Sequence, residues 1–209
     1  LVEANIEDLL EAAALQTLLD ETYAILKWTK SVDAFRPAVI PGGNIKIDSA
    51  RHPLLFNQDP PIEITPLEFE IPGDRKVVLI SGPNAGGKSV MLKCVGLMAM
   101  LGQCGWDIPS GEQTELPLFS QLFVDLGDEQ SIARSMSSYS AHLEHMSSFI
   151  KLADDRTLVL CDELGSGTDP DEGSVLAYVM LDALAAKGAT VLATTHYGLL
   201  KASVNDHPK

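Results

Sequence analysis

The run Gly82-Pro83-Asn84-Ala85-Gly86-Gly87-Lys88-Ser89 combines three glycines, a lysine and a hydroxyl at a spacing suited to polyphosphate chemistry. Glycines let the backbone curl until successive N–H groups point inward at phosphate oxygens. A helix opening at the end of the run adds its positive dipole end. In that arrangement Lys88 reaches the β and γ phosphates of ATP and the Ser89 hydroxyl ligates Mg²⁺. An ordinary Gly-rich turn between strand and helix is the alternative, and the Lys-Ser pair argues against it.

A site of this kind needs a carboxylate at the end of a neighbouring buried strand, and Leu158-Val159-Leu160-Cys161-Asp162-Glu163 supplies two. Asp162 is suited to hold the Mg²⁺ water shell, and Glu163 to align a water on the γ-phosphate. Taken alone, two acids after four apolar residues also describe a solvated strand end. The segment from Gly165 to Thr168 reads as a flexible loop leading into a helix. Asp169 is its N-cap, Pro170 its first residue and Glu172 the reciprocal member of a capping box. A further apolar strand ends in Thr194-Thr195-His196, which puts an imidazole on the same sheet edge as Glu163. His196 there either senses the γ-phosphate or is polar surface. His142 and His145, three apart on a predicted helix with no Cys, Asp or further His in register, read as helix surface rather than a metal pair.

The elements that must position these residues follow from the apolar pattern. Strands are expected at 76–81, 121–126, 157–161 and 189–193, alternating with helices at 87–102, about 140–153 and 170–187. Such alternation implies right-handed crossovers and an α/β fold with a mainly parallel sheet flanked by helices. Ahead of it, residues 36–73 carry Pro and Gly punctuation around short β-like pieces, Asn44-Ile45-Lys46-Ile47 and Ile62-Glu63-Ile64. These read as strands and turns at a domain edge. Residues 1–33 hold no Pro or Gly and place Ile6, Leu9, Leu10 and Ala13, then Leu15, Leu18 and Leu19, at helical spacing. A long amphipathic helix or helix pair results, either packed on the following domain or forming an arm toward upstream sequence. The expected division is a helical arm at 1–36 and an ATPase domain at 37–209.

Composition narrows the partners. A formal net charge of −14 argues against a general nucleic-acid or anionic-membrane surface, which needs clustered Lys and Arg. No apolar run approaches bilayer length and no basic, apolar leader is seen, so a soluble cytoplasmic protein is expected. Cys94, Cys104 and Cys161 lack paired spacing and read as buried structural thiols.

Further motifs complete a recognisable set: Gly127-Asp128-Glu129-Gln130-Ser131, Ser135-Met136-Ser137-Ser138-Tyr139, and Ala193-Thr194-Thr195-His196-Tyr197. With the Gly82–Ser89 loop and the acid pair they resemble the ATPase domain of the MutS family. Gly-Asp-Glu-Gln-Ser and Gly-Thr-Asp-Pro-Asp-Glu-Gly are similar to its recombination-suppressing second branch rather than to the mismatch-recognising one. The resemblance covers about residues 51–200, and the helical segment 1–33 is similar to the family's helical connector. It implies an ABC-type P-loop ATPase that dimerises head to tail, the partner's signature segment closing each nucleotide site. By position, Ser137 is then the signature serine acting in trans. Gln130 links Mg²⁺ and the attacking water to the rest of the protein, and Asn84 contacts the γ-phosphate. His196 becomes the switch histidine, and Ile62 falls where the family packs an apolar side chain on adenine. The signature reads Ser137-Ser138-Tyr139 where the family commonly has Ser-Thr-Phe. Relatives continue past the switch histidine into further ATPase sequence and a nuclease-like Smr domain, so the chain is expected to be a fragment.

The implied function is a motor coupling nucleotide state to clamping on branched DNA, thereby restraining recombination through domains outside this chain. The same branch is also associated with stalled ribosomes, and mismatch-repair MutS shares the ATPase; the residues do not choose among these. A transporter nucleotide-binding subunit is disfavoured by the missing Leu-Ser-Gly-Gly-Gln signature. A scaffold that binds ATP without turnover is disfavoured by the Asp162-Glu163 pair.

Overall fold

The computed structural model describes residues 5–82, 86–126 and 135–197, the side chains of 135–141 excepted. The Pro- and Gly-free N-terminal segment forms one continuous helix, α1 (Ile6–Ser31), rather than a pair, and none of its residues is buried. It is rooted only near its C-terminal end. There the Trp28 ring meets Trp106 edge-on at 6.0 Å, Val32 is buried, and the Arg51 guanidinium donates to the Val32 carbonyl at 3.3 Å.

Residues 38–116 contribute a small sheet of β1 (Ala38–Val39), β2 (Ile45–Ala50), β3 (Leu67–Ile71) and β5 (Glu115–Leu116), in the order β1-β5-β2-β3. It is antiparallel apart from the β1–β5 pair. The β-like reading of Ile62-Glu63-Ile64 is not realised: the segment is irregular, and the strand lies at β3 instead. Pro60, Pro61 and Pro66 flank it and withhold the N–H groups a ladder requires.

The second sheet comprises β4 (Val77–Ser81), β6 (Gln121–Asp125), β7 (Thr157–Cys161) and β8 (Thr190–Thr195), all parallel in the order β4-β8-β7-β6. It is joined by α2 (Lys88–Gln103), α3 (Ser135–Leu152) and α4 (Pro170–Ala186). Helices cover both faces. Leu158 and Leu160 of β7 join Leu92, Val95 and Met98 of α2 in one core, while Val159 and Cys161 join Met146 of α3 and Ala177, Leu181 and Leu184 of α4 in another. A strand sandwiched in this way must be apolar on both sides, which is why β7 reads as an unbroken apolar run. Helix α3 starts about a turn earlier than its apolar pattern indicates, because its first residues are mostly serine. Among the described residues no helix is long and apolar enough to cross a membrane. Cys94 and Cys161 are buried as expected, whereas Cys104 is exposed, since it caps the solvent end of α2.

Candidate functional site

The parallel register brings four strand ends to one edge. Ser81 of β4 pairs with Thr195 of β8, Ala193 of β8 with Cys161 of β7, and Cys161 with Asp125 of β6. Ligand sites of open α/β sheets lie at this carboxyl edge. The glycine loop leaves β4 here. Gly87 takes a left-handed conformation (φ 75°) that most side chains resist, and α2 begins directly after it with no side-chain cap on its first N–H groups. Lys88 is buried, and its ammonium donates to the Gly82 carbonyl at 2.7 Å, so the side chain folds back along the loop. Ser89 is half-buried in the first turn, and Gly86 is exposed. Pro83, Asn84 and Ala85 lie outside the described residues.

Across from the loop, Asp162 is buried and Glu163 half-exposed. Thr194 organises both. Its hydroxyl donates to Asp162 Oδ1 and accepts from the Glu163 N–H at 2.8 Å, while its carbonyl accepts from the Leu164 N–H at 2.9 Å. Glu163 has φ 50°, a left-handed conformation that costs a non-glycine residue about 1–2 kcal/mol. Its carboxylate lies against His196, whose Nε2 is 3.2 Å from Glu163 Oε1. The structure thus brings together Lys88, Ser89, Asp162, Glu163 and His196 on one edge. It leaves Ile62 half-exposed on the irregular segment between β2 and β3. Gln130 lies outside the described residues; Ser137 sits in the first turn of α3, its side chain likewise undescribed.

The segment after Glu163, expected as a flexible loop, is held by specific contacts. Tyr197 Oη donates to the Gly165 carbonyl at 3.1 Å, and the Ser166 N–H to the Glu163 carbonyl at 2.9 Å. Gly165 and Gly173 approach so closely that a Cβ on Gly165 would lie 2.5 Å from the Gly173 carbonyl oxygen. Asp169 caps α4 by accepting from the N–H groups of Asp171 and Glu172. The capping box is only half formed, because the Glu172 carboxylate accepts from Thr168 Oγ1 at 3.3 Å instead.

His145 is exposed as expected and His142 only half-buried, yet both share a partner that spacing did not show. Their Nδ1 atoms bond the two oxygens of one buried carboxylate, Asp125, at 2.6 and 3.2 Å. Burial opposes ionisation of Asp125, yet the two imidazole hydrogen bonds hold its carboxyl below the ordinary value. The same hydrogen bond raises His142 above its ordinary value, against a smaller opposing effect of burial. Sequence spacing missed this cluster because the acid arrives from another element. The signal available was an Asp closing the apolar strand Leu122-Phe123-Val124, as Asp162 closes its own. Thr194 was equally legible only as part of a motif.

A parallel sheet with a Gly-Lys-Ser loop facing an Asp-Glu strand end defines a class, and comparison gives the family. The chain belongs to the MutS family, its residues 78–209 matching MutS domain V. Among curated relatives it is similar to Endonuclease MutS2 of Caldicellulosiruptor saccharolyticus, 44% identical over 88% of this chain and 23% of the relative. It is also 39% identical to Endonuclease MutS2 of Brevibacillus brevis over 100% of this chain and 26% of that protein. To Putative endonuclease MutS2 of Bacillus subtilis it is 42% identical, over 92% and 24% respectively. The chain therefore spans about a quarter of the length of these relatives.

Proposed function

We propose that this chain is the ATP-binding and ATP-hydrolysing segment, of ABC type, of a MutS2-like protein, with residues 37–209 as the motor and 1–36 as its arm. The observation that carries the reading is the convergence of Lys88, Ser89, Asp162, Glu163 and His196 on the carboxyl edge of four parallel strands. The donor set suits Mg²⁺: a hydroxyl and a carboxylate are hard oxygen ligands, and Ser89 and Asp162 are the residues that would hold it. The ion, held by these two residues, would supply positive charge against the polyphosphate.

This chain's own residues do the rest. The loop N–H groups and Lys88 bind and orient the polyphosphate. Thr194 fixes the Asp162 carboxylate and the Glu163 backbone together, so that Glu163 can orient a water on the γ-phosphate. His196, against Glu163 at 3.2 Å, would report the γ-phosphate. Head-to-tail dimerisation would bring Ser137 of one subunit to the nucleotide of the other. With 29 acidic against 15 basic residues, contacts to branched DNA are assigned to other parts of the protein.

Nucleotide titration combined with phosphate release tests this reading. Lys88→Ala is expected to weaken ATP binding by roughly a hundredfold or more, whereas Glu163→Gln keeps binding and lowers turnover to a similar degree. Unimpaired hydrolysis by Glu163→Gln would remove Glu163 from its role, and retained binding by Lys88→Ala would remove the loop.

A further inference from the structure

Helix α3 carries Ser137 in its first turn, and five residues further on begins a row of described side chains facing the sheet. Its later part is held by apolar packing: Met146 Sδ lies 3.6 Å from Cys161 Sγ, and Phe149 stacks on Phe123 with centroids 4.8 Å apart. Nearer Ser137 the tie is of another kind. His142 and His145, one turn apart, each bond a different oxygen of the Asp125 carboxylate. Burying a carboxylate is costly, and an apolar pair would fill the space at less cost. Apolar contacts carry no direction of their own, whereas two directional bonds from successive turns to one fork constrain both the height of a helix and its rotation.

The anchor is not an arbitrary point on the sheet. The main-chain carbonyl of Asp125 accepts from the Asp162 N–H at 2.8 Å, and Asp125, His142, Asp162 and Glu163 line one cleft. One residue therefore holds the Mg²⁺-ligand strand end through its backbone and the Ser137 helix through its side chain.

We propose that Asp125, His142 and His145 are positioning residues. They fix the pitch of α3 on the Asp162 strand end and so set how well Ser137 meets the nucleotide held by the second subunit. The proposal rests on the composite-site reading given above. In it the cluster acts in trans: it belongs to the subunit that presents the helix, not to the one whose ATP is hydrolysed.

Heterodimers of the full-length protein, purified through two different tags, provide the test. One subunit carries Lys88→Ala, leaving a single working site on the other. His142→Ala is then added either to the Lys88→Ala subunit, whose α3 faces the working site, or to its partner, whose α3 faces the dead one. ATP turnover is expected to fall roughly tenfold or more in the first arrangement and no more than about twofold in the second. Asp125→Asn should repeat the asymmetry. His142→Asn, whose amide reaches the place of Nδ1, should recover most of the loss. A general folding defect would lower both arrangements alike, so equal losses, a loss confined to the second arrangement, or no loss in either overturns the proposal. Ser137→Ala in the same two arrangements is the control. If it shows no preference for the first, the composite site itself fails and the proposal with it. If it does while His142→Ala does not, only the positioning role falls.

Discussion

None of the 26 residues of α1 is buried, whereas all five residues of β7 are. The helix follows from local preference: a Gly- and Pro-free run rich in Ala, Leu and Glu favours helix with or without a core. The strand follows from its neighbours, because only packing from both faces makes five successive buried residues stable. Function divides along the same line. Geometry that must be held to fractions of an ångström, such as Asp162 against Thr194, sits on the ends of strands gripped by two cores. Leu9, Leu10, Leu18 and Leu19 of α1 are exposed, and among the described residues the helix is held only at its root.

The strongest way to break this contrast is a matched pair of leucine truncations. Leu160→Ala is expected to destabilise the protein by about 2–5 kcal/mol through cavity formation. Leu18→Ala, on a helix with no buried residue, should stay within about 0.5 kcal/mol. Urea denaturation followed by circular dichroism measures both, and comparable losses would show that α1 is packed in solution. A second substitution sharpens the result. A Cβ on Gly96 of α2 would lie 2.8 Å from Leu160 Cδ1, so Gly96→Ala alone is overpacked. In the Leu160→Ala background that methyl gains room, and the double mutant should be more stable than the sum of the two predicts.

Thr194→Val comes next. It keeps the shape but removes the hydroxyl shared by Asp162 and the Glu163 N–H, leaving two groups at a buried edge without their partner. A loss of about 1–3 kcal/mol is expected, with turnover falling more than ATP affinity. Thr194→Ser should restore both. A variant with normal turnover would mean that the strand end holds its carboxylates without Thr194.

The same division explains what was legible in the residues. The helix start at Gly87-Lys88-Ser89, the strand end at Asp162-Glu163 and the parallel strands were readable because each is signalled within one contiguous stretch. The Asp125 fork and the Thr194 bridge were not, since each joins residues 17 to 32 positions apart that only the register aligns. Spacing along α3 correctly put His142 and His145 on one face but could not say what that face met. The small sheet was read only in part, because prolines around Ile62 broke a pattern that looked like a strand. The fate of Glu172 turned on a local competition that the capping-box pattern does not encode: Thr168 reached its carboxylate first.

That competition separates the two acids at the start of α4. Asp169→Ala removes the bonds to the Asp171 and Glu172 N–H groups and should cost about 1 kcal/mol, whereas Glu172→Ala, lacking the reciprocal bond, should cost only a few tenths. Thermal melts resolve the difference, and equal losses would show that the full box forms in solution. Either loss should be smaller than that of Thr194→Val, because α4 is also held by Ala177, Leu181 and Leu184 in the core.

The effect most diagnostic of the Asp125 cluster is a modest one that depends on pH. His142 gains a carboxylate partner on folding, which raises its affinity for a proton above the ordinary 6.5. A group of this sign contributes stability that is fully present below its unfolded value and is lost as pH rises through its folded value. Asp125 has the opposite sign: held below its ordinary 3.8, it contributes stability present above that value and lost as pH falls through the folded one. The ion pair is therefore complete between about pH 4 and 6.5 and weakens on the alkaline side as His142 deprotonates. Urea unfolding of the parent and of His142→Ala at about pH 5.5 and pH 9 measures this. The gap between them should be wider at the lower pH, by about 1 kcal/mol or less given the partial exposure of the imidazole. Lys27→Ala on the exposed face of α1 supplies the comparison and should show no such dependence. A His142 gap that is flat with pH would mean the imidazole is a neutral hydrogen-bond donor throughout, holding α3 by geometry alone. A gap that widens toward alkaline pH would reverse the sign assigned to the pair.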